Sequence, residues 1–433
     1  MSKTAQALPL LVLIACGDAT SDTPARDGGV ERDGGVCTLE VPDDLTVRAG
    51  ALVPFAASEI GGSAVELSWP GSFVVLGPDE VRAPYEAGRY VVDVRAACGD
   101  EAQRAVTVEA LAFGAPIEWT VGPDAREHPA MWIDPAEPDA LYLFGGFSFV
   151  PRQFTVVDDL WRFDLNAETW TQLDNGGAPL LAAGRVAFVP GLGAYYEGGS
   201  GPANELPFSL VEIDASSATT AVRALSPTGA PNQGATLHGL VYDEPRSRLL
   251  SFGGFHPGLT NEVFAFDLTT NQYGPLATSG EGPSPRYGFF LAVDEAADRL
   301  ILFSGGQQAV AGDPVNAATD TWALDLSTTP PTWSQLFGAS DSASGRRNGC
   351  SAMDTKNRRF FVWGGTPDGR TTKTQLWILD LDPGQERWHQ LPIGNDRVRS
   401  SCAAIYDPTR ERILFGFGNN SAGIFADLTP LAL

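Results

Sequence analysis

Basic side chains recur at similar places along the chain and form its most suggestive set of polar groups. Each precedes an apolar segment that is typical of a β-strand, and they are His128, Arg185, His238, Arg286, Arg346 and Arg399. Guanidinium and imidazole groups gathered in space could bind a carboxylate, a phosphate or an acidic sugar. The alternative is that each arginine pairs with a nearby acid or with loop carbonyl groups. The sequence leaves both interpretations open.

Catalytic motifs are scarce in the rest of the chain. There is no GxSxG nucleophile elbow and no CxxC pair, and the four histidines (His128, His238, His256, His389) lie far apart in sequence. We therefore expect no metal and no cofactor, and we assign no catalytic residue. Glu197, in the unusual segment AYYEGG, and His128 are the titratable groups that stand out.

Aspartates end a set of apolar segments at a regular interval. They are Asp164, Asp214, Asp267, Asp325, Asp380 and Asp427. Asp side chains commonly accept hydrogen bonds from the backbone two or three residues further on. We therefore expect these carboxylates to stabilise turns and to take no part in catalysis.

The five cysteines have separate predicted roles. The start of the chain resembles a bacterial lipoprotein signal, because an apolar segment (ALPLLVLIA) leads directly into Leu-Ile-Ala-Cys16. In that class Cys16 carries the lipid, which makes residues 1–15 a signal peptide; a plain secretory signal is the alternative. Residues 16–36 repeat RDGGV and read as a flexible tether. Cys37 and Cys98 flank the next folded segment, and an oxidising compartment would permit a disulfide between them.

An internal repeat of roughly fifty residues begins near residue 115 and continues to residue 433. Its anchor is an apolar strand that ends in a double glycine or a close variant: LYLFGG, AYYEGG, LLSFGG, LILFSGG, FFVWGG and ILFGFG. An apolar strand precedes each anchor, and a strand ending in Asp-Leu or a variant follows it. A fourth strand carries an aromatic residue in four repeats: Trp170, Tyr273, Trp333 and Trp388.

This order of strands resembles the kelch repeat, in which each repeat is one four-stranded antiparallel blade of a β-propeller. The resemblance implies six blades in residues 115–433. The sixth repeat ends without an aromatic strand, and segment 117–121, with Trp119, precedes the first repeat without a blade of its own. Because the N-terminal strand of a propeller commonly completes the last blade, we predict that segment 117–121 closes the ring.

The kelch resemblance also predicts where two of the cysteines and the six basic residues lie in the propeller. Cys350 lies four residues after Arg346, and Cys402 lies three residues after Arg399. Since side chains alternate along a strand, this offset predicts a disulfide between adjacent blades; two free buried thiols are the alternative. The six basic residues would line one mouth of the central channel. The resemblance to sugar-acting kelch enzymes carries no motif here, and no galactose oxidase-like copper site is present in the sequence.

Residues 37–112 read as short alternating strands with a segment, YEAGRYVVDV, that resembles the penultimate strand of PKD-like and other immunoglobulin-like sandwiches. Trp69 lies where such domains often bury an aromatic residue. The cysteine spacing is not that of antibody domains. The predicted fold is therefore all-β, with a small immunoglobulin-like β-sandwich followed by a six-bladed kelch-type β-propeller.

Composition indicates the compartment and the class of partner. The net charge of −24 disfavours nucleic acid and anionic membrane surfaces as partners. With its lipoprotein-like start and its kelch-like repeats, the sequence resembles kelch lipoproteins of bacterial, myxobacterial-like type. We expect a monomer in the cell envelope, anchored by lipid alone and favouring the outer membrane. We expect it to bind or scaffold a protein or glycan, with loops 147–158 and 307–320 as contact regions. An enzyme acting on a sugar or small acid at an arginine-lined channel mouth is the alternative.

Overall fold

The computed structural model describes residues 10–17, 36–40, 44–57, 65–77, 80–96, 101–149, 154–215, 220–231, 235–255, 258–308, 315–391 and 398–433. It divides into two compact units, Met1–Leu111 with Leu433, and Ala112–Ala432. Apart from two single-turn 3₁₀ helices, Glu244–Arg246 and Glu295–Ala297, the regular structure is β-strand. No helix within these ranges is long and apolar enough to span a bilayer.

The first unit consists of two sheets. One has five strands in the order β2-β1-β4-β7-β6 and the other has four in the order β3-β9-β8-β5. The strands are β1 (Leu10–Gly17), β2 (Val36–Glu40), β3 (Leu45–Arg48), β4 (Leu52–Ala57), β5 (Val65–Ser68), β6 (Val74–Gly77), β7 (Glu80–Arg82), β8 (Gly88–Ala96) and β9 (Glu101–Glu109). Strand β1 pairs with β2 and with β4. The signal peptide and tether remain predictions, and signal cleavage before Cys16 would remove most of β1.

Two features of this unit differ from the sequence expectation. The buried aromatic residue is Phe73, and Trp69 is only half-buried beside it, with the ring centroids 4.9 Å apart. The expected continuous strand 47–57 is broken at Gly50, which has a φ of +70°. A side chain there would collide with the Tyr85 ring, 2.4 Å from the position of its Cβ. Cys98 lies outside the described residues, so the predicted bridge to Cys37 is not described.

The second unit is a ring of six sheets, which are blades 1 to 6 of the propeller. It begins with β10 (Ala112–Phe113) and β11 (Ile117–Glu118). Blade 1 contains β12 (Arg126–Glu127), β13 (Ala130–Ile133), β14 (Ala140–Phe149), β15 (Phe154–Asp164) and β16 (Thr169–Leu173). Blade 2 contains β17 (Arg185–Val189), β18 (Gly193–Glu197), β19 (Leu210–Asp214) and β20 (Ala221–Ala224). Blade 3 contains β21 (Thr228–Gly229), β22 (Gly239–Asp243), β23 (Arg248–Phe252), β24 (Val263–Asp267) and β25 (Gln272–Pro275).

The remaining blades repeat the same antiparallel order. Blade 4 contains β26 (Phe290–Asp294), β27 (Arg299–Phe303), β30 (Thr321–Asp325) and β31 (Thr332–Phe337), with a hairpin of β28 (Gly306–Gln307) and β29 (Asn316–Ala317). Blade 5 contains β32 (Cys350–Asp354), β33 (Arg359–Trp363), β34 (Leu376–Asp380) and β35 (Arg387–Leu391). Blade 6 contains β36 (Ala403–Asp407), β37 (Arg412–Gly416) and β40 (Asp427–Ala432), with a hairpin of β38 (Asn419–Asn420) and β39 (Gly423–Ile424).

The ring is closed by the start of the second unit. Strands β10 and β11 pair with β40, the strand that ends blade 6. Trp119, just after β11, packs edge-on against Trp170 of blade 1 with the ring centroids 5.2 Å apart. The predicted closing strand is therefore present, although it is shorter than segment 117–121. The all-β fold with a six-bladed propeller is confirmed.

Apolar side chains fill the spaces between blades. One buried cluster joins Met131, Leu141 and Phe163 of blade 1 to Leu414 and Leu428 of blade 6. Comparable clusters join blades 1 and 2, 2 and 3, 3 and 4, and 4 and 5. A single blade cannot bury both of its faces, so the ring as a whole supplies the hydrophobic core.

The double glycine allows adjacent blades to approach closely. Gly198 has a φ of +67°, and a Cβ there would lie 2.1 Å from the carbonyl oxygen of Ala235 in the next blade. Ser304 takes the corresponding place in blade 4 with a φ of +60°. Its hydroxyl donates to the carbonyl oxygen of Arg346 in blade 5 at 2.7 Å. Glycine or serine occupies this place in blades 1 to 5, and Phe417, with a φ of +60°, occupies it in blade 6.

Candidate functional site

The wall of the central channel is built on one backbone position in each blade. The six residues at this position have φ values between +51° and +58°, and they are His128, Ala183, Leu237, Gly288, Asn348 and Ser401. Five hydrogen bonds of 2.5–3.0 Å link the amide of one to the carbonyl oxygen of the residue in the preceding blade, with blade 6 preceding blade 1. We call these residues the channel ring, and they fix the register in which the blades can be compared.

Measured against the channel ring, the six predicted ligand-binding residues are not equivalent. Arg286, Arg346 and Arg399 each lie two residues before it, His128 belongs to it, His238 lies one residue after it, and Arg185 lies two residues after it. Arg126, which the sequence comparison missed, is the counterpart of the first three. Blades 2 and 3 carry Leu181 and Ala235 at that place.

Arg286 and Arg399 are fully buried inside their blades and form ion pairs there. Arg286 donates two hydrogen bonds to Asp320, at 2.6 and 2.9 Å, and one to the carbonyl oxygen of Ser304. Arg399 donates to Asp427 at 2.5 Å and to the carbonyl oxygen of Phe417. This placement corrects the expected position at the channel mouth. Both arginines instead pair with a nearby acid and a loop carbonyl group, which is the alternative that the sequence left open.

Arg346 is also fully buried, but its guanidinium bonds only to uncharged oxygens among the described residues. It donates to the carbonyl oxygens of Gly364 and Gln375 at 3.2 and 3.1 Å. Gln375 stands two residues before Trp377, as Asp320 stands two residues before Trp322. Burial without a carboxylate lowers the pKa of Arg346 to about 10. Arg346 thus also differs from the expected channel-mouth ligand.

The other three predicted residues do come together. His128, Arg185 and His238 line a cavity of about 210 Å³ in the channel, together with Gly288, Asn348 and the disulfide residue Cys402. The predicted disulfide between Cys350 and Cys402 is confirmed, and it joins blades 5 and 6 with their Cα atoms 5.3 Å apart. The cavity is therefore walled by all six blades, with three basic side chains on blades 1, 2 and 3.

Arg185 supplies the positive charge in the channel cavity at neutral pH. Arg185 is half-buried, its guanidinium donates to the carbonyl oxygen of Gly184, and it forms no ion pair within the described part of the chain. Burial and the charge of Arg185 lower the pKa values of His128 and His238 to about 3. Burial lowers the pKa of Arg185 itself to about 10. At neutral pH the histidines are neutral and Arg185 is positively charged.

A buried carboxyl group stands behind His238. Glu197 is 2% exposed, and its Oε1 atom lies 3.6 Å from Nε2 of His238. Tyr273 donates a hydrogen bond to Oε1 at 2.9 Å, and Ser251 lies 2.9 Å from the Tyr273 hydroxyl. Burial raises the pKa of Glu197 to about 7. Because His238 is neutral at that pH, its contact with Glu197 is not an ion pair. Sequence reasoning identified Glu197 as unusual but could not show this chain of hydroxyl groups.

A second, larger cavity of about 560 Å³ lies on the face where the first strand of each blade begins. Phe149, which ends β14, and Phe154, which begins β15, line it with their ring centroids 5.0 Å apart. Their exposed fractions are 43% and 56%. Glu127 lies in this cavity, where it accepts a hydrogen bond from Asn419 and burial raises its pKa. We call this cavity the rim pocket.

The two regions predicted as contact loops are largely hairpins. Residues 147–149 and 154–158 belong to β14 and β15, so the first region is an extended hairpin. In the second, β28 pairs with β29. The residues at the two tips, 150–153 and 309–314, lie outside the described ranges. Of these two regions, the first alone contributes described residues to the rim pocket.

Three of the six aspartates, Asp164, Asp267 and Asp325, accept turn hydrogen bonds as expected. Asp164 accepts hydrogen bonds from the amides of Asn166 and Ala167, and Asp267 accepts from those of Thr269 and Thr270. Asp380 instead lies 3.0 Å from Nε2 of His389, and Asp427, which begins β40 and does not end a strand, pairs with Arg399. Within the described ranges, no three His, Cys, Asp or Glu side chains are grouped so that they could hold a metal ion.

These blades, their double glycines and their closing strand define a six-bladed kelch-type β-propeller. The family model for the KLHDC2/KLHL20/DRC7 Kelch-repeats domain matches residues 237–433, and the model for the Attractin/LZTR1 beta-propeller matches residues 130–307. The two matches overlap in the third and fourth blades and together include part of every blade.

Curated relatives match less than half of the chain. Multiple epidermal growth factor-like domains protein 8 of Mus musculus is 28% identical over 226 residues, which are 48% of this chain and 8% of the relative. The protein of the same name from Rattus norvegicus is 29% identical over 192 residues, 42% of this chain and 7% of the relative. The chain thus spans less than a tenth of the length of these relatives.

A solved structure, titled "Structure of YjhT", has a similar fold. Its TM-score is 0.52 at 14% sequence identity, and the match covers 72% of this chain and 95% of that one. At this identity the similarity bears on the fold alone.

Proposed function

We propose that this protein is a binding module that holds a protein partner at the rim pocket. The observation that carries the proposal is the Phe149–Phe154 pair, two large apolar rings left half-exposed at the edge of an open cavity. Aromatic side chains are enriched among the residues that dominate binding energy at protein interfaces. A partner that covers both rings would remove them from water.

The rim pocket offers polar groups beside these rings. Asn419, Asn420, Thr366 and Ser400 line it, and they can hydrogen-bond to a peptide backbone. Its two charged lining residues have opposite sign, Glu127 in the interior and Arg370 at an exposed position. An apolar anchor surrounded by hydrogen-bonding groups is the usual composition of a protein interface. The matches to kelch-repeat family models also support a role in protein interaction.

The location of the module is a second part of the proposal. We infer that the mature chain begins at a lipidated Cys16 and is held at the outer membrane in the cell envelope. The support is the sequence alone, namely the apolar segment that ends in Leu-Ile-Ala-Cys16. Intact-mass measurement of the membrane-extracted protein should give a chain that starts at Cys16 with an added diacylglyceryl group. A Cys16→Ser variant that keeps the same membrane fraction and mass change would contradict it.

Site-specific photo-crosslinking tests the binding function. A benzophenone amino acid replaces Phe154 in the full chain, and in a matched control it replaces Leu192, which is 46% exposed in the turn between β17 and β18. We expect a discrete protein adduct from position 154 and none from position 192. Equal adducts at both positions, or none from a folded protein, would refute docking at the rim pocket. An adduct with carbohydrate alone would replace the protein partner with a glycan.

A further inference from the structure

Three buried polar atoms without hydrogen-bond partners in the described part of the chain belong to residues that line the channel cavity. His238 is 1% exposed, and neither of its ring nitrogens has a partner within the described residues. The Oδ1 atom of Asn348 is likewise buried and unpaired. Arg185 adds a guanidinium without an ion pair among the described residues. All three residues line the same 210 Å³ space, although they come from blades 2, 3 and 5.

Such groups are costly unless something in the cavity satisfies them. A buried polar group left unpaired costs about 1–3 kcal/mol, and native proteins contain few of them. The Asn348 side chain is held over Gly288, since a Cβ at residue 288 would lie 1.9 Å from Oδ1. This acceptor therefore lies directly against the backbone of the neighbouring blade.

We propose that the channel cavity binds a small hydroxylated carboxylate. Arg185 would hold the carboxylate, because its guanidinium matches the two carboxylate oxygens and lacks a protein counter-ion. Asn348 Oδ1 is an acceptor, so it requires a hydroxyl donor from the ligand. A simple anion without hydroxyl groups would leave this acceptor unpaired.

Size and charge narrow the ligand further. The cavity is smaller than the roughly 300–1,000 Å³ of sites for drug-sized molecules, so a compact molecule is expected. The chain carries a net charge of −24, which disfavours anions at most of its surface. Arg185 is the positively charged residue in this space at neutral pH. The proposal is independent of the rim pocket, because the two cavities have no lining residue in common.

Isothermal titration calorimetry of the purified full chain tests the proposal. D-glucuronate, D-gluconate and L-lactate serve as hydroxylated carboxylates, D-glucose as a neutral counterpart and acetate as a carboxylate without a hydroxyl group. We expect at least one hydroxy acid to bind ten or more times tighter than glucose and acetate. Binding of none of the three acids, which would leave the cavity to water, would overturn the proposal. So would equal binding of acetate.

Variants then locate the ligand. Arg185→Gln should weaken binding at least tenfold, and Asn348→Leu should reduce the preference for the hydroxy acid over acetate. Arg223→Gln is the matched control, because Arg223 lies in the same blade on the exposed strand β20 and should leave affinity unchanged. If Arg185→Gln does not fold, Arg185→Lys, which keeps the charge but loses the planar fork, should bind more weakly than wild type. Unchanged affinity in a folded Arg185 variant would refute the assignment. Loss of the rim-pocket adduct with intact acid binding would count against the proposed function alone.

Discussion

Replacement of Arg286 by methionine should destabilise the propeller without removing a ligand site. The side chain is fully buried, and the substitution leaves Asp320 without its ion-pair partner and the Ser304 carbonyl without a donor. Breaking a buried pair by removing one partner costs about 3–5 kcal/mol. Asp320 keeps 21% side-chain exposure and a hydrogen bond from Trp322, so we expect the lower end, about 3 kcal/mol.

A double-mutant cycle, measured by urea unfolding, separates the coupling energy of the Arg286–Asp320 pair from the other effects of each substitution. Arg286→Met, Asp320→Asn and the double variant should give a coupling energy of about 1–3 kcal/mol at pH 7. Burial alone would raise the pKa of Asp320, but the hydrogen bonds and charge of Arg286 lower it below its ordinary value. This stabilisation is therefore present above the unfolded pKa near 3.8 and is lost as pH falls through the folded pKa.

Two comparisons make the result decisive. Arg223→Gln, which breaks an exposed pair with Glu212, should change the free energy of unfolding by less than about 1 kcal/mol. Gln375→Asp should give Arg346 the carboxylate that Arg286 has and should raise stability. An Arg286→Met protein as stable as wild type would refute the structural role and would return this arginine to the predicted ligand-binding set.

Three further predictions concern the channel wall. Glu197→Gln should remove a pH dependence of stability, because the raised pKa of Glu197 contributes stability that is present below pH 4.5 and lost as pH rises through about 7. The difference in unfolding free energy between variant and wild type, measured from pH 4.5 to 8, should show this trend. A difference that does not change with pH would contradict it. Replacing Cys350 and Cys402 together by serine should lower the free energy of unfolding by up to about 4 kcal/mol, since the disulfide closes a loop of 52 residues. Calorimetry should show a melting temperature lower by several degrees. An unchanged melting temperature would contradict this prediction. Gly288→Ala should lower the melting temperature and disturb hydroxy acid binding, because its Cβ would meet the Asn348 side chain and its φ is +57°; wild-type values for both would contradict it.

The propeller could be predicted from the sequence because its signals repeat. The double glycine recurs where one blade's backbone approaches the next, and apolar strands alternate with aspartate-ended strands in every repeat. Each signal reflects a local steric or hydrogen-bonding need, so it recurs along the sequence, although Ser304 and Phe417 replace the first glycine in blades 4 and 6. The closing strand followed from counting, since the sixth repeat lacked its last strand and Trp119 preceded the first.

The register of the basic residues could not be predicted in the same way. The channel ring position is occupied by His128, Ala183, Leu237, Gly288, Asn348 and Ser401, which share a backbone conformation but no side-chain chemistry. Without that anchor, Arg185 appeared equivalent to Arg286, although their places differ by four residues. A signal for the buried pairs was present, because Asp159 and Asp320 each stand two residues before a tryptophan.

The channel cavity and the rim pocket depend on contacts between distant blades. Arg185 and Asn348 are 163 residues apart in sequence, and only ring closure brings them to one cavity. Phe149 and Phe154 belong to a region that the sequence marked as a loop, and the exposure of their rings follows from the hairpin that the loop forms. Neither site has a local motif.

The affinity of the cross-linked partner for rim-pocket variants is the most direct test of the binding function. Purified partner would be titrated against wild type, Phe149→Ser with Phe154→Ser, and Leu192→Ser as the control, with equal folding checked by melting temperature. Loss of aromatic anchors at an interface costs about 2 kcal/mol or more, so the double variant should bind at least about thirtyfold more weakly while the control is unchanged. Equal affinity for all three proteins would contradict the proposed function.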